Sequence, residues 1–297
     1  MNIGLIIHGP IISTGKKSDG PNYVHNFQTI HYIEKNIAIF TKYCNKIILT
    51  IWEGETTSIS HISNENVIII ECSKYPYNDN DNRRKQFYSV FQGLKYLKNN
   101  SDITHVFKIR TDQLVDDKII NWFTDEYNNS EKNQEKIFFS ELNKDRPFYA
   151  GDFIIGGNID KMYKYYQNIL SHKSQDLHVC AAIDHLIKHI YSIEDYKNYF
   201  SNNYPFVFQQ YINKKQLSKL WNLLLDKEVL VIPEEIFFNI KWRNKNMQDI
   251  IDRNTTSFIF YNNYLKINFS EKITFENILK EYYRYYYIQR VKRFFNK

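Results

Sequence analysis

The chain reads as an α/β protein with a largely parallel, Rossmann-like sheet flanked by helices. Three observations predict this. Short apolar runs of strand length alternate with longer stretches whose apolar residues recur at helical spacing. Several runs stop abruptly in Gly, Pro or charged residues. The 297 residues, 43% of them hydrophobic, are enough to bury a sizeable core in one large domain, which argues against disorder.

In chain order, Ile3–Ile7 is the first strand, ended by His8-Gly9-Pro10 and followed by a Gly/Ser/Lys-rich loop to Pro21. Asn26–Tyr43 has the apolar spacing of a helix. Lys46–Trp52 and Asn66–Glu71 are the next two strands. Asp81 or Asn82 caps a helix to about Leu97, with Phe87, Val90, Phe91, Leu94 and Leu97 on its apolar face. Thr104–Ile109 is the fourth strand and runs straight into Arg110-Thr111-Asp112, with Asp116 and Asp117 close behind. A short helix to about Phe123 and a polar loop lead to a strand over Ile137–Ser140. Gly151–Gly157 is a further strand with Asp152 at its mouth, and helices follow over Asp160–Leu170 and Gln175–Tyr191. From Ser201 onward short strands and helices mix, with no repeat and no low-complexity linker. Residues 1–279 are therefore expected to form one domain, and residues 280–297 a tail.

Charge separates that tail from the body. The net charge is +6, and Lys280–Lys297, with six basic residues and one acid, supplies +5 of it. On a helix, Tyr283, Tyr287, Val291, Phe294 and Phe295 fall on one side, the composition of an amphipathic helix at an anionic membrane surface. The alternatives are RNA binding and a helix docked on its own domain. No RRM, KH or zinc-knuckle signature is present, so nucleic acid is not the expected partner. Cys44, Cys72 and Cys180 are odd in number and widely spaced, which suits a reducing cytoplasm. The N-terminus lacks a basic leader, and no run has transmembrane length. The expected location is cytoplasmic, peripheral on the inner face of the cell membrane.

The candidate site follows from strand ends. An apolar strand that ends in opposite charges makes a poor core element. Arg110 suits a phosphate, and Asp112 suits a metal ion or a sugar hydroxyl. Ligands of open α/β sheets sit outside the carboxyl ends of strands. The plainer reading is a strand-to-loop junction with a surface ion pair. Gly9 and Pro10 either admit a nucleotide base or ribose close to the backbone or form a plain tight turn. Neither a P-loop nor a G-x-G-x-x-G fingerprint is present, so ATPase and NAD readings lose support. In Trp52-Glu53-Gly54-Glu55, Glu53 is the better base or ribose contact, and Glu55 is as readily a solvated turn residue. Arg83-Arg84-Lys85 opposes the dipole at the start of a helix, a conflict that a bound diphosphate relieves; otherwise it is a solvated basic face. Asp184 follows the apolar Val179–Ile183 run and is either a partly desolvated catalytic base or a surface residue near Lys188. His178, His185 and His189 share its helix, but without the Glu of H-E-x-x-H they do not make a zincin.

Taken in order, Ile6-Ile7-His8-Gly9-Pro10-Ile11, Ile48-Leu49-Thr50-Ile51-Trp52-Glu53-Gly54-Glu55, Gln86-x-x-Ser89-x-x-x-Gly93-Leu94, Lys108-Ile109-Arg110-Thr111-Asp112 and Pro147-Phe148-Tyr149-Ala150-Gly151-Asp152-Phe153 resemble the WavE-like lipopolysaccharide synthesis family. That family is similar to GT-A-type glycosyltransferases. The resemblance covers roughly the first 160 residues, and beyond about residue 195 little of it remains. It implies a GT-A-like fold and transfer of a sugar from a nucleotide-sugar donor to a growing surface glycan or a lipid-linked glycan acceptor. GT-A enzymes carry a D-x-D motif after the fourth strand, where this chain has Arg110-Thr111-Asp112. The departure leaves two options: Mn²⁺ or Mg²⁺ at Asp112, or Arg110 taking over part of the metal's work on the leaving phosphate. On this reading Gly9, Pro10 and Glu53 are expected to line the nucleotide pocket, Arg83 or Arg84 to meet the diphosphate, and Arg110 and Asp112 to hold the donor phosphate, sugar or metal. Asp184 is similar in placement to the acidic residue such enzymes use near the acceptor, and competes with Asp152 for the role of base. The rival class is a non-catalytic nucleotide-sugar or RNA-binding protein.

Overall fold

The computed structural model describes residues 1–13, 26–73, 83–143, 151–171, 225–250 and 258–259. Among them the main sheet has seven strands: β1 (Ile3–His8), β2 (Lys46–Trp52), β3 (Val67–Cys72), β4 (His105–Arg110), β5 (Ile137–Phe139), β6 (Ile155–Asn158) and β7 (Val229–Val231). Their spatial order is β7-β5-β6-β4-β1-β2-β3. Strands β1 to β4 pair in parallel, β6 runs antiparallel to both β4 and β5, and β7 is parallel to β5. The sheet is thus largely parallel with one reversed strand. From β1 the chain steps outward through β2 to β3 and then returns to lay β4 on the other side of β1. That reversal makes the shared carboxyl end of β1 and β4 the topological switch point, where ligands of such sheets bind.

Every residue of β1 is buried, as expected of a strand covered on both faces. One face packs against α1 (Ile30–Phe40) and α3 (Lys118–Asn128), through Ile33, Ile37, Phe40, Ile119, Ile120 and Phe123. The other packs against α2 (Arg83–Asn100) and α4 (Ile159–Ser171), through Phe87, Val90, Leu94, Met162, Tyr166 and Ile169. Helix α2 runs against the direction of β1: Ser89 meets His8, Gly93 lies over Ile6, and Leu97 lies over Gly4. A Cβ on Gly93 would come 3.1 Å from Ile6 Cγ2, so the missing side chain sets this close approach. Six residues before Ser89, at 1.5 Å rise each, put Arg83 about 9 Å beyond the level of His8, on the carboxyl side of the sheet.

Two elements differ from the sequence reading. The helix expected from Asn26 begins at Ile30, because Phe27-Gln28 pair with Ile12-Ser13 as a short antiparallel ribbon. Thr29 Oγ1 then donates to the Ile11 and Pro10 carbonyls, tying the helix start to the chain beyond β1. The strand expected over Gly151–Gly157 is a strand only from Ile155. The expected helix over residues 175–191, with Asp184 and its histidines, and the tail at 280–297 lie outside the described residues. Cys44 and Cys72 are buried and free, and burial pushes their thiols up to about 12 and about 11. No helix among the described residues is long and apolar enough to cross a membrane.

Candidate functional site

The first and fourth strand ends are laced together. His8 and Arg110 sit opposite each other in register. Thr111 N donates to His8 O at 2.9 Å, Thr111 Oγ1 to Pro10 O at 2.9 Å, and Gly9 N to Thr50 O at 3.2 Å. Gly9 has φ +131°, and a Cβ there would stand 2.6 Å from Thr111 Oγ1. Only glycine fits both the backbone angle and the approach. Glu55 joins the second strand to this corner. One of its carboxylate oxygens accepts from Ile11 N at 3.1 Å and the other from Trp52 N at 3.0 Å. Glu53 lies exposed beside it, its own N–H bonded to Cys72 O.

Asp112 is the hub of the site. It is 2% exposed and accepts five hydrogen bonds. Oδ1 takes Arg110 Nε at 3.0 Å, and Oδ2 takes Arg110 Nη2 at 3.1 Å, Ser13 Oγ at 3.1 Å, Trp242 Nε1 at 3.0 Å and Arg243 Nε at 2.9 Å. Burial alone would raise its carboxyl, but the Arg110 and Arg243 guanidiniums outweigh burial and hold it well below the usual range. The Arg110 guanidinium carbon lies 6.0 Å from the Phe153 ring centre and 5.9 Å from that of Trp242, within cation–π reach of both.

Trp242 and Arg243 arrive on a hairpin. Lys241-Trp242 pairs with Lys245-Asn246, and its other edge pairs with Gln113-Leu114 just after β4. Both turn residues are left-handed, Arg243 at φ +49° and Asn244 at φ +68°, as a two-residue type I′ turn requires. For an arginine this backbone costs about 1–2 kcal/mol. It is held by Arg243 N donating to Asp112 O at 3.1 Å, by the side-chain bond to Asp112, and by Arg243 Nη2 donating to Ser13 Oγ at 3.1 Å. The Tyr32 hydroxyl donates to Asn244 Oδ1 and accepts from Asn244 N, both at 3.0 Å.

Beyond β4 the reversed strand β6 presents its amino end at the edge where the parallel strands present their carboxyl ends. This brings Asp152 and Phe153 to the site. Lys108 Nζ donates to the Asp152 carbonyl. Ser140 and Glu141 follow β5, and Ser140 Oγ donates to Glu141 Oε2. Lys108 and Glu141 are both buried. Burial pushes the lysine down to about 8 and the glutamate up to about 8. His8 is also buried. Its Nδ1 is 3.4 Å from Ser89 Oγ, and its Nε2 has no protein partner. Burial, reinforced by Lys108 and Arg110, keeps its pKa well below the usual range and the ring neutral.

The structure thus brings Gly9, Pro10, Arg110, Asp112 and Asp152 to one edge. Arg83 and Arg84 open α2 on the same side of the sheet, with Arg84 half-buried. Asp184 lies outside the described residues. Asp112 does not suit a divalent cation, because its oxygens already face two guanidiniums, an indole N–H and a hydroxyl. Among the described residues no three His, Cys, Asp or Glu side chains converge as a metal site. Sequence reading missed Lys108, Glu141, Trp242 and Arg243. For Lys108 a signal existed, since a lysine between Phe107 and Ile109 in an apolar strand needs a buried partner. For Arg243 there was none, because arginine does not announce a left-handed turn.

No protein-family model matches the chain, and no curated protein matches it in sequence. Among solved structures it is similar to a 4-diphosphocytidyl-2C-methyl-D-erythritol synthase from Anaerococcus prevotii, with a TM-score of 0.40, 16% identity, and coverage of 62% of this chain and 82% of that one. A cytidylyltransferase from Leptospira borgpetersenii has a TM-score of 0.37 at 15% identity, covering 64% and 71%. A mannose-1-phosphate geranyltransferase from Thermus thermophilus has a TM-score of 0.36 at 9% identity, covering 61% and 68%. Likenesses this distant carry no argument about function, and the fold rests on the sheet itself.

Proposed function

We propose that the chain is a glycosyltransferase that moves a sugar from a nucleotide-sugar donor to a growing bacterial surface glycan, as the resemblance to the WavE-like family implies. The observation that carries this reading is the lacing of Gly9-Pro10 to Arg110-Thr111-Asp112 at the switch point. Two of the sequence blocks behind the resemblance meet there, at the one place in such a sheet where a nucleotide ligand is expected. Negative charge grows on the leaving nucleoside diphosphate as the sugar–phosphate bond breaks. A fixed guanidinium such as Arg110 stabilises that charge without reorganising. Arg83 and Arg84, on the carboxyl side of the sheet, are the second candidates for the diphosphate. If the anomeric centre inverts, the acceptor hydroxyl needs a general base, and Asp152 and Asp184 are the candidates.

The test is a panel of UDP-, GDP-, CMP- and dTDP-sugars, read by thermal shift and by donor hydrolysis without acceptor. A donor that raises the melting temperature and is slowly hydrolysed supports the reading. Tight RNA binding with no donor hydrolysed overturns it in favour of a non-catalytic binding protein. For the base, Asp152→Asn and Asp184→Asn are compared: the base variant keeps donor affinity and loses turnover, and if both only weaken donor binding neither is the base. Residues 280–297 are proposed to hold the protein on the anionic inner leaflet, at about 1 kcal/mol per basic residue. Truncation after Lys280 should abolish sedimentation with anionic vesicles, as should high salt. Equal vesicle binding by the truncated and intact forms removes the tail from the proposal.

A further inference from the structure

We propose that His8 selects the donor by its ribose: Nε2 of the buried imidazole accepts a hydrogen bond from a ribose hydroxyl of the nucleotide. This rests on the reading above that the site takes a nucleotide sugar, and adds to it the group that inspects the nucleotide's own sugar ring.

Three observations carry it. First, His8 ends β1 at the switch point, directly before Gly9-Pro10, and its ring turns to the face covered by α2, where Ser89 meets it. Arg83 and Arg84 open that same helix. A ribose is bonded directly to the phosphates, so with a diphosphate at the start of α2 it falls toward the end of β1. Second, the tautomer of the ring is fixed. The single Ser89 Oγ proton goes to Gln86 O at 2.9 Å, which leaves Oγ only lone pairs for His8 Nδ1, 3.4 Å away. Nδ1 therefore carries the ring proton. In the neutral ring Nε2 is then a bare lone pair, an acceptor and not a donor. Third, that lone pair has no protein partner. The residue is 2% exposed, and buried polar atoms of folded proteins nearly always have a partner.

What completes Nε2 must bring an O–H or N–H. Ionised phosphate oxygens bring neither, whereas a ribose brings hydroxyls. Binding includes a local opening over the ring, and the hydroxyl is then read away from bulk water. A nucleotide that lacks it leaves the acceptor unpaired, which is how a site built around a substrate hydroxyl rejects the analogue without one.

The experiment titrates UDP, GDP and CMP calorimetrically into the full chain at one fixed Mg²⁺ concentration. The tightest is then compared with its 2′-deoxy and 3′-deoxy forms. Mg²⁺ meets the phosphates of parent and deoxy forms alike, so it cancels in the comparison. One deoxy form should bind the wild type at least about tenfold more weakly than the parent. His8→Asn keeps a group for Ser89 at the Nδ1 position but has nothing at Nε2. It should weaken the parent by the same factor and no longer distinguish it from that deoxy form. In nitrogen-15 spectra, His8 Nε2 of the free protein should be unprotonated, and its signal should move with the parent but not with that deoxy form. A merely structural role would weaken every nucleotide alike and leave the signal still. Equal binding of both deoxy forms and the parent by the wild type overturns the inference and leaves Nε2 to an ordered water only. A His8→Asn loss that is the same for every nucleotide overturns it too, as does a proton on Nε2. Should His8→Asn fail to fold, the wild-type comparison and the spectra still decide. Nucleotide binding with no hydroxyl preference leaves the proposed function standing and removes only this contact, whereas no binding of any of the three removes both.

Discussion

Gly9 follows, and Arg110 ends, strands that run side by side in the same direction, whereas Asp152, Glu141 and Arg243 reach the same edge by three separate routes. On the parallel side each site residue ends its strand or follows it, so local sequence decides where it goes. On the other side the chain reaches the edge at the end of β5, leaves it along the reversed β6, and returns on a hairpin that pairs with the segment after β4. The first side is held by backbone bonds between neighbouring strands. The second is held by the bonds of Lys108 to the Asp152 carbonyl and of Arg243 to Asp112, across 44 and 131 positions of sequence. The two sides should therefore fail differently when perturbed.

The largest effect is expected at Asp112, where the sides meet. Asp112→Asn removes the shared charge from two guanidiniums. Loss of one partner from a buried ion pair costs about 3–5 kcal/mol. In the proposed sugar transfer, turnover should fall at least about tenfold, or about 1.4 kcal/mol of barrier. A folded variant that transfers sugar at the native rate would show that the hub has no part in the reaction.

Gly9→Ala tests the parallel side. The substitution forces an L side chain to φ +131° and into Thr111 Oγ1, so a loss of about 1–3 kcal/mol is expected in urea unfolding. Adding Thr111→Ala relieves the contact but not the angle, and should recover only part of the loss. Full recovery would mean that the clash alone matters.

Glu141→Gln tests the other side through pH. The folded carboxyl is raised from 4.5 to about 8, so the folded state holds a proton that the unfolded state releases. Its stabilising contribution is complete below 4.5 and is lost as pH rises toward 8. Relative to wild type, the glutamine variant should gain melting temperature between about pH 4.5 and 8 and then level off. A difference independent of pH would mean that Glu141 ionises normally. The smallest effect is expected at Glu53→Gln. The residue is exposed, so stability should stay within about 0.5 kcal/mol. Unchanged donor affinity would also strike Glu53 from the donor contacts.

The comparison also explains what could be read beforehand. The strands through Ile109 and helix α2 follow from local periodicity, and the charges at Arg110 and Asp112 follow from where an apolar run stops. The aspartate at the mouth of its strand was legible, but the mouth faces the site only because β6 is reversed, and no local pattern carries strand direction. That Glu55 caps the neighbouring loop was not legible, because its partner Ile11 lies more than forty residues earlier. Arg243 was invisible, because the bonds that hold its backbone left-handed come from Asp112 and Ser13.

The bond from Arg243 to Ser13 spans 230 positions of sequence. Closing so long a loop is entropically slow, and contacts of this separation delay folding. During synthesis, Asp112 leaves the ribosome long before its second arginine exists. The parallel strands can assemble around an aspartate that has only Arg110 and Ser13 to face. The site is then the last part of the fold to mature, and pulse-labelled hydrogen exchange should find the Arg243 amide protected after those of β1, β2 and β4.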